Sequence, residues 1–411
     1  MAVGVLCAVR GPAEALLVQA AEASGGRLSV TRRCADVVEL LAAAEAGLGR
    51  LALVSADLEH LDRETVVALH RGGTRVVALA DPGRAWLAER ATACGADLVL
   101  APPTDAEGAR AVVADALALL DAVAPDHVPG WLDAAATPTA RTRRGRIVAV
   151  WGPTGAPGRT TTAVNLAAEL AALGRPTLLV DADTYGGAVS QVVGLLDEAP
   201  GLAAAARAAG QGTLDLRALA ALAPLLADDL RVLSGVSRPD RWPELPAAAL
   251  DVVWSTARSL AEWIVVDTGF CLEQDESLTY DTWAPQRNGS TLSALAAADV
   301  VVAVGAADPV GIARLVRGLA DLAALGLPAT RLVVVNRVRA AATGGHPQQA
   351  VLEALARYAG VPDALLVPDD RPACDAALLA GHTLREAASG SAARRAFATL
   401  AERLVVGAPT P

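Results

Sequence analysis

Lysine is absent from this 411-residue sequence, and all 35 basic residues are arginine. Wherever chemistry calls for a lysine, a planar guanidinium stands in or the charge is lost. Aromatic residues are only 3%, while apolar residues reach 53%, so large cores are available but must be built from Ala, Val and Leu. The five cysteines (Cys7, Cys34, Cys94, Cys271, Cys374) are scattered, odd in number and never at metal-ligand or redox spacing, which excludes a disulfide framework and suits a reducing cytoplasm. A net charge of −10 argues against a nucleic-acid surface. A local basic cluster, Arg141, Arg143, Arg144 and Arg146, reads as a solvated linker. Long apolar runs are also missing. The stretch 216–226 is broken by Arg217 and Pro224 and is too short for a bilayer. No basic region followed by an apolar stretch opens the chain, so neither a signal peptide nor a membrane span is expected, and the expected location is the cytoplasm.

What the sequence does contain is alternation of short Val/Leu/Ala runs with amphipathic stretches of helix length. Over residues 1–123 strands are expected at 4–9, 51–55, 75–80 and 97–100, with a weaker one at 27–31. Helices are expected at 12–24, 34–46, 63–71, 84–93 and 105–123. Five βα units in this length imply a doubly wound α/β domain. Residues 124–145 are rich in Pro, Thr, Ala and Arg without periodicity and read as a linker. A second α/β domain is expected over 146–406, with strands at 147–151, 177–181, 230–233, 263–267, 300–305, 332–336 and 365–367.

The segment RIVAVWGPTGAPGRTTTAVNLAAELAALG, beginning at Arg146, is a buried strand, a glycine-rich turn and an amphipathic helix. That context is what a phosphate-binding loop requires. Gly155, Ala156, Pro157 and Gly158 would form the cradle, and the helix N-terminus adds favourable partial charge. Thr160 occupies the position whose hydroxyl ligates Mg²⁺, and Thr161 would lie beside the α-phosphate. The consensus lysine is replaced by Arg159, and the consensus first glycine by Pro153 with Gly152 one residue earlier. Asp181 and Asp183 fall at one strand end, and Asp267 ends another, where it would hold the Mg²⁺ hydration shell. Asn336 ends a third, where its amide could read an adenine edge. Pro368 and Asp369 begin a loop that would close over the base.

With these motifs in order, residues 146–405 resemble the MinD/ParA family of P-loop ATPases. The resemblance implies ATP with Mg²⁺, a nucleotide-dependent homodimer, and a first switch in DADTYGG whose Asp183 orients the attacking water, with Arg159 neutralising phosphate charge. ADPVGIARLVRGL is similar to the family's strand-to-helix connection after the second switch. The family's second lysine, which reaches the partner subunit's nucleotide, is Thr154 here, implying slow hydrolysis.

The first domain resembles a response-regulator receiver without its chemistry. Ser55 stands at the phosphoacceptor position, Val9–Arg10 at the acidic pair, Ala80 at the switch hydroxyl and Ala101 before Pro102 at the lysine. Asp57 and Asp62 read as loop carboxylates. A degenerate receiver joined to such an ATPase is similar to the CpaE/TadZ group. That implies protein partners at a pole, pilus or division apparatus, and membrane recruitment through those partners. The C-terminal AARRAFATLAERLVV is amphipathic through Phe397, Leu400 and Leu404, and is expected to pack on the core. The acidic insert after Asp267 carries Glu273, Asp275, Glu276 and Asp281, read as solvated. Two rival readings are a catalytically degenerate scaffold that only binds nucleotide, and a ParA-like DNA-partition ATPase.

Overall fold

The computed structural model describes residues 2–122, 144–195, 200–274, 286–343 and 345–407. Residues 124–143 of the expected linker, including Arg141 and Arg143, lie outside the described residues. So do Asp275, Glu276 and Asp281 of the acidic insert. The chain divides into two compact units, Met1–Arg141 with Ala208–Thr213, and Thr142–Arg207 with Leu214–Pro411.

The first unit is built on five parallel strands: β1 (Val3–Ala8), β2 (Leu28–Arg33), β3 (Leu51–Ser55), β4 (Arg75–Leu79) and β5 (Leu98–Leu100). Their order is β2-β1-β3-β4-β5, the flavodoxin-like doubly wound arrangement. The helices Pro12–Glu22 and Ala106–Asp121 cover one face through Leu17, Ala20, Ala109 and Val112. The other face takes Val37–Glu45, Arg63–Arg71 and Ala85–Cys94 through Leu40, Leu69 and Leu87. Asp36, Asp62 and Asp105 each accept the amide three residues on and cap their helices. Asp62 is thereby a helix cap, and Asp57 pairs with Arg84 at 2.9 Å. Ser55 Oγ accepts the backbone N–H of Arg10 at 2.9 Å.

The second unit carries eight strands: β6 (Arg146–Trp151), β7 (Thr177–Ala182), β8 (Leu225–Ala227), β9 (Leu230–Leu233), β10 (Trp263–Thr268), β11 (Val300–Ala306), β12 (Thr330–Val338) and β13 (Leu365–Pro368). Their order is β13-β12-β11-β6-β10-β7-β9-β8. All pairs are parallel except β8 on β9. The central strands are buried on both faces, as their unbroken Val/Ile/Ala runs require. β8 is the strand that periodicity does not anticipate. It is a three-residue edge piece on the far side of Pro224 and turns back at Asp228–Asp229, with Asp229 at φ +59°. β12 extends past the expected end at Asn336 to Val338, and its pairing with β13 shifts between Val335 and Val338, where Arg337 adopts φ +57°.

The helix Arg159–Ala172 is buried almost all round, because the sheet takes one side of it and the helix Ala392–Val406 the other. Phe397, Leu400 and Leu404 are at most 4% exposed, so the C-terminal amphipathic face is core. Glu169 clamps the two helices. It is 4% exposed, takes a bidentate bond from Arg394 (2.7 and 2.8 Å) and a third from Arg385 at 3.2 Å. Among the described residues no helix is long and apolar enough to cross a membrane.

Candidate functional site

β6, β7, β10 and β12 run parallel, so the loops after their C-terminal ends gather along one edge, next to the point where the strand order reverses at β6. β6 leads through Gly152 into the loop. A side chain at Gly152 would collide with the Val304 carbonyl of β11, so the turn can lie this close only as glycine. Gly155 (φ +70°) and Gly158 (φ +88°) bend the loop back, in a region L side chains rarely occupy. Gly158 caps the Arg159–Ala172 helix, whose first-turn amides at Arg159, Thr160 and Thr161 have no intrahelical acceptor. A concave row of donors results, with the positive end of the helix behind it.

Three carboxylates face this loop. Asp267, fully buried at the end of β10, accepts the Thr160 hydroxyl at 2.6 Å through Oδ2. Its Oδ1 is buried without a donor among the described residues. Burial pushes the Asp267 carboxyl well above the ordinary range. The negative charge of Asp181 adds to this, and the Thr160 hydrogen bond opposes it. A divalent cation fits here: the Thr160 hydroxyl and the orphaned Asp267 oxygen are hard donors, and added positive charge would hold the carboxylate ionised.

Asp183 is 5% exposed and follows β7. Its Oδ1 accepts the amides of Tyr185 (2.8 Å) and Gly186 (3.2 Å), which fixes the turn, and its Oδ2 pairs with Arg159 at 3.2 Å. Asp181 lies deeper and is walled by Gly187 and Gly235, at each of which an added side chain would press on it. It accepts the amides of Asp183 and Val189 at 3.2 and 3.1 Å. Burial raises it to about 6 against those hydrogen bonds. Asp181 therefore shapes the turn that presents Asp183.

Arg159 lies along the start of the loop. One terminal nitrogen reaches Asp183, the other the Gly152 carbonyl at 3.4 Å, and the buried Nε has no acceptor among the described residues. These are long bonds for a guanidinium. A lysine at the same position would make a single point contact, whereas the fork of Arg159 ties the first switch turn to the loop. That turn is held from its other side as well. Tyr185 packs on Phe270 at 4.8 Å, lies under the Arg287 guanidinium at 4.4 Å and donates to Asn288 Oδ1 at 2.8 Å.

On the other side of the loop, a cavity of about 120 Å³ is bounded by Gly158, Thr161, Asn336, Pro368 and Asp369, all anticipated, together with Arg337. Asn336 donates its amide to the Pro157 carbonyl at 3.1 Å and accepts the Arg337 N–H at 2.8 Å. It braces the loop from β12, and one amide hydrogen remains for a ligand. Asp369 pairs with Arg339 at 3.1 Å. Cys374 and Phe397 complete the wall, and nothing in their spacing marks them in the sequence. A larger cavity of about 680 Å³, lined in part by Leu319, Tyr358 and Leu400, includes no residue of the loop.

A further cation lies beside the loop. Arg314, on the helix Pro309–Ala324, sets its guanidinium against Gly155 so closely that a side chain there would strike it. The available signal was the pair Gly311 and Gly318. At three residues before and four after, they mark the helix face that approaches the sheet.

Comparison with known proteins accords with this architecture. Cell division ATPase MinD of Pyrococcus furiosus superposes with a TM-score of 0.51 at 22% identity, covering 64% of this chain and 99% of that one. Septum site-determining protein MinD of Pyrococcus horikoshii OT3, solved with Mg-ADP, gives 0.50 at 21%, covering 64% and 98%. A ParA family ATPase of Chlorobium tepidum TLS gives 0.51 at 16%, covering 62% and 98%. At these identities the likeness speaks for the fold. No curated protein matches significantly in sequence. The family description "CobQ/CobB/MinD/ParA nucleotide binding domain" matches residues 148–377, which is more than half of the chain. Because that match runs from within β6 through β13 and takes in the whole loop-and-carboxylate edge, the chain belongs to the CobQ/CobB/MinD/ParA nucleotide-binding-domain family.

Proposed function

We propose that the chain binds ATP with Mg²⁺ and works as a slow, dimerising MinD/ParA-type switch of the CpaE/TadZ kind, placing partner proteins at a pilus or division site. The observation that carries this reading is the Thr160–Asp267 pair opposite the donor end of the loop and helix, with one Asp267 oxygen unpartnered among the described residues. In this reading Arg159 and the backbone N–H groups of Gly155, Gly158, Arg159, Thr160 and Thr161 neutralise the phosphates. Asn336, Pro368 and Asp369 hold the base, and Thr160 and Asp267 hold the metal ion. Bound Mg²⁺ would spread the charge that develops on the phosphate oxygens. Asp183, already fixed by two amides, accepts a hydrogen bond from the attacking water once Arg159 turns to phosphate. Because this catalysis is positioning plus electrostatics, substituting arginine and threonine for two lysines slows it while leaving binding usable.

For the first unit we propose a receiver-like docking domain over 1–123, followed by a linker at 124–145 and the ATPase at 146–406. The flavodoxin-like strand order supports it. Ser55 bonds the Arg10 amide, Asp57 is paired and Asp62 is a cap, which leaves no acidic pocket for a phosphoryl group among the described residues.

Titration of the full chain with ATP or ADP and Mg²⁺, followed calorimetrically with mass determination, is expected to show saturable binding and ATP-dependent dimers. Asp267→Asn should weaken Mg²⁺-dependent binding by about 10-fold or more. No binding of either nucleotide near millimolar concentration would reject the reading. A specific observation favours a second reading, a scaffold that binds without turnover: Arg159 occupies the carboxylate that would orient water. Phosphate release that disappears in Asp183→Ala decides against it.

A further inference from the structure

The loop carries less positive charge than its ligand demands. Its one internal cation, Arg159, is shared with Asp183. Thr154 contributes none. A nucleoside triphosphate would bring roughly four further negative charges, of which a bound Mg²⁺ would offset only about two.

Arg314 lies where the deficit is. Its helix starts at Pro309 with Asp308 as cap, accepting the Gly311 amide at 3.0 Å, which sets the helical phase. Three close approaches then fix the face. Gly311 abuts Ala306, Leu315 lies over Gly305, and Gly318 meets Pro153 and Trp151 beneath the loop. Arg314 sits between Gly311 and Gly318 on that face, and its guanidinium meets the loop at Gly155. It is exposed, and among the described residues it makes no hydrogen bond or ion pair. Other exposed arginines, Arg50 and Arg110 among them, are also unpaired among the described residues; what sets Arg314 apart is that its guanidinium lies against the loop at Gly155.

Resting on the nucleotide-binding reading above, we infer that Arg314 is the second phosphate-binding cation of this site. It reaches the terminal phosphate of a nucleoside triphosphate from the helix after β11 and, within the same chain, makes up for the neutral residue at position 154. The loop's order supports the terminal phosphate. Thr160 and Thr161, at the helix, take the inner phosphates, while Gly155 lies at the other end of the cradle. A guanidinium suits this task because its fork can bridge two phosphate oxygens while its stem leans on the loop.

The test compares binding of a non-hydrolysable ATP analogue (AMPPNP) and of ADP, each with Mg²⁺, to the full chain and its variants. Arg314→Ala is expected to weaken AMPPNP by about 10- to 100-fold, the worth of a charge-assisted contact. ADP should change by less than about 3-fold, and Arg314→Lys should keep most of the affinity. Adding Thr154→Lys to Arg314→Ala should restore AMPPNP binding only in part and only where dimers form, because a lysine there would reach the partner subunit's nucleotide. Arg314→Gln repeats the measurement with the stem preserved, and thermal melting in the absence of nucleotide should be unchanged for both. If wild type binds AMPPNP and Arg314→Ala binds it equally well, or loses AMPPNP and ADP alike, this inference is overturned and the reading above stands. If wild type binds neither, both fall.

Discussion

At the scale of single residues, the site is governed by how four charged groups share a small, dry volume. Arg159 pairs with Asp183 and acts on the charge of Asp267, and Asp267 and Asp181 are both held above their ordinary ionisation range, chiefly by burial. For Asp181 the consequence for stability has a definite sign. Its folded value, about 6, exceeds the 3.8 of an ordinary aspartate. Between those values the folded chain holds a proton that the unfolded chain releases. The contribution to stability is therefore greatest at low pH and is lost as pH rises through about 6. Other carboxylates, Glu14 and Asp370 among them, are lowered and act in the opposite sense, so the wild-type profile alone does not isolate Asp181. The difference between wild type and Asp181→Asn does. Without nucleotide, the stability of wild type relative to the variant should grow by roughly 1 to 2 kcal/mol between about pH 7.5 and pH 5. Denaturant unfolding of both proteins at the two pH values measures it, and a difference that is flat or shrinks would remove Asp181 from the buried titrating set. Residue identity alone marks Asp181, Asp183 and Asp267 as acidic strand ends. It does not separate their roles, because the walls that make Asp181 structural come from Gly187 and Gly235, the latter more than fifty residues away in sequence.

At the scale of elements, strand–loop–helix is legible because three local signals agree: a buried run, a glycine turn and an amphipathic helix. What locks the helix in place is not local. Glu169 and Asn165 lie on a helix buried almost all round, where polar groups must find partners. Glu169 takes Arg394 and Arg385, and Asn165 accepts the Leu384 amide at 2.8 Å. This clamp seats the helix carrying Phe397, Leu400 and Leu404. Removing one member of a buried charged cluster leaves the others unsatisfied, so Glu169→Gln should cost about 3 kcal/mol. For a unit of this size the melting temperature would fall by about 6 to 12 °C. Double substitution with Arg394→Leu should recover part of the loss, and calorimetry of the single and double variants tests the coupling. The late end of β12 and the unanticipated edge strand β8 share one feature. Beside each lies a residue in the left-handed region, Arg337 within β12 and Asp229 in the turn after β8, and pattern alone does not announce such residues when they are not glycine.

At the scale of the whole molecule, two sheets each close their own core. In the first, apolar clusters lie on both faces, and the second is centred on β6, β10 and β11. Cores of this kind unfold as separate cooperative units. Scanning calorimetry should resolve two transitions. Mg²⁺ with ATP at about 100 times its Kd should add about 2.7 kcal/mol to one of them and leave the other in place. A single transition, or equal shifts in both, would tell against nucleotide binding confined to the second unit. The two α/β layers, their parallel strands and the phosphate loop follow from the sequence itself, because period, glycine placement and strand burial are short-range properties carried by neighbouring residues. Tertiary structure alone decided that Arg159 pairs with Asp183, that Asn336 braces the loop, and that Arg314 stands over Gly155. Those meetings join residues from 24 to 179 positions apart, and their charge and shape become readable only when the strands are laid side by side.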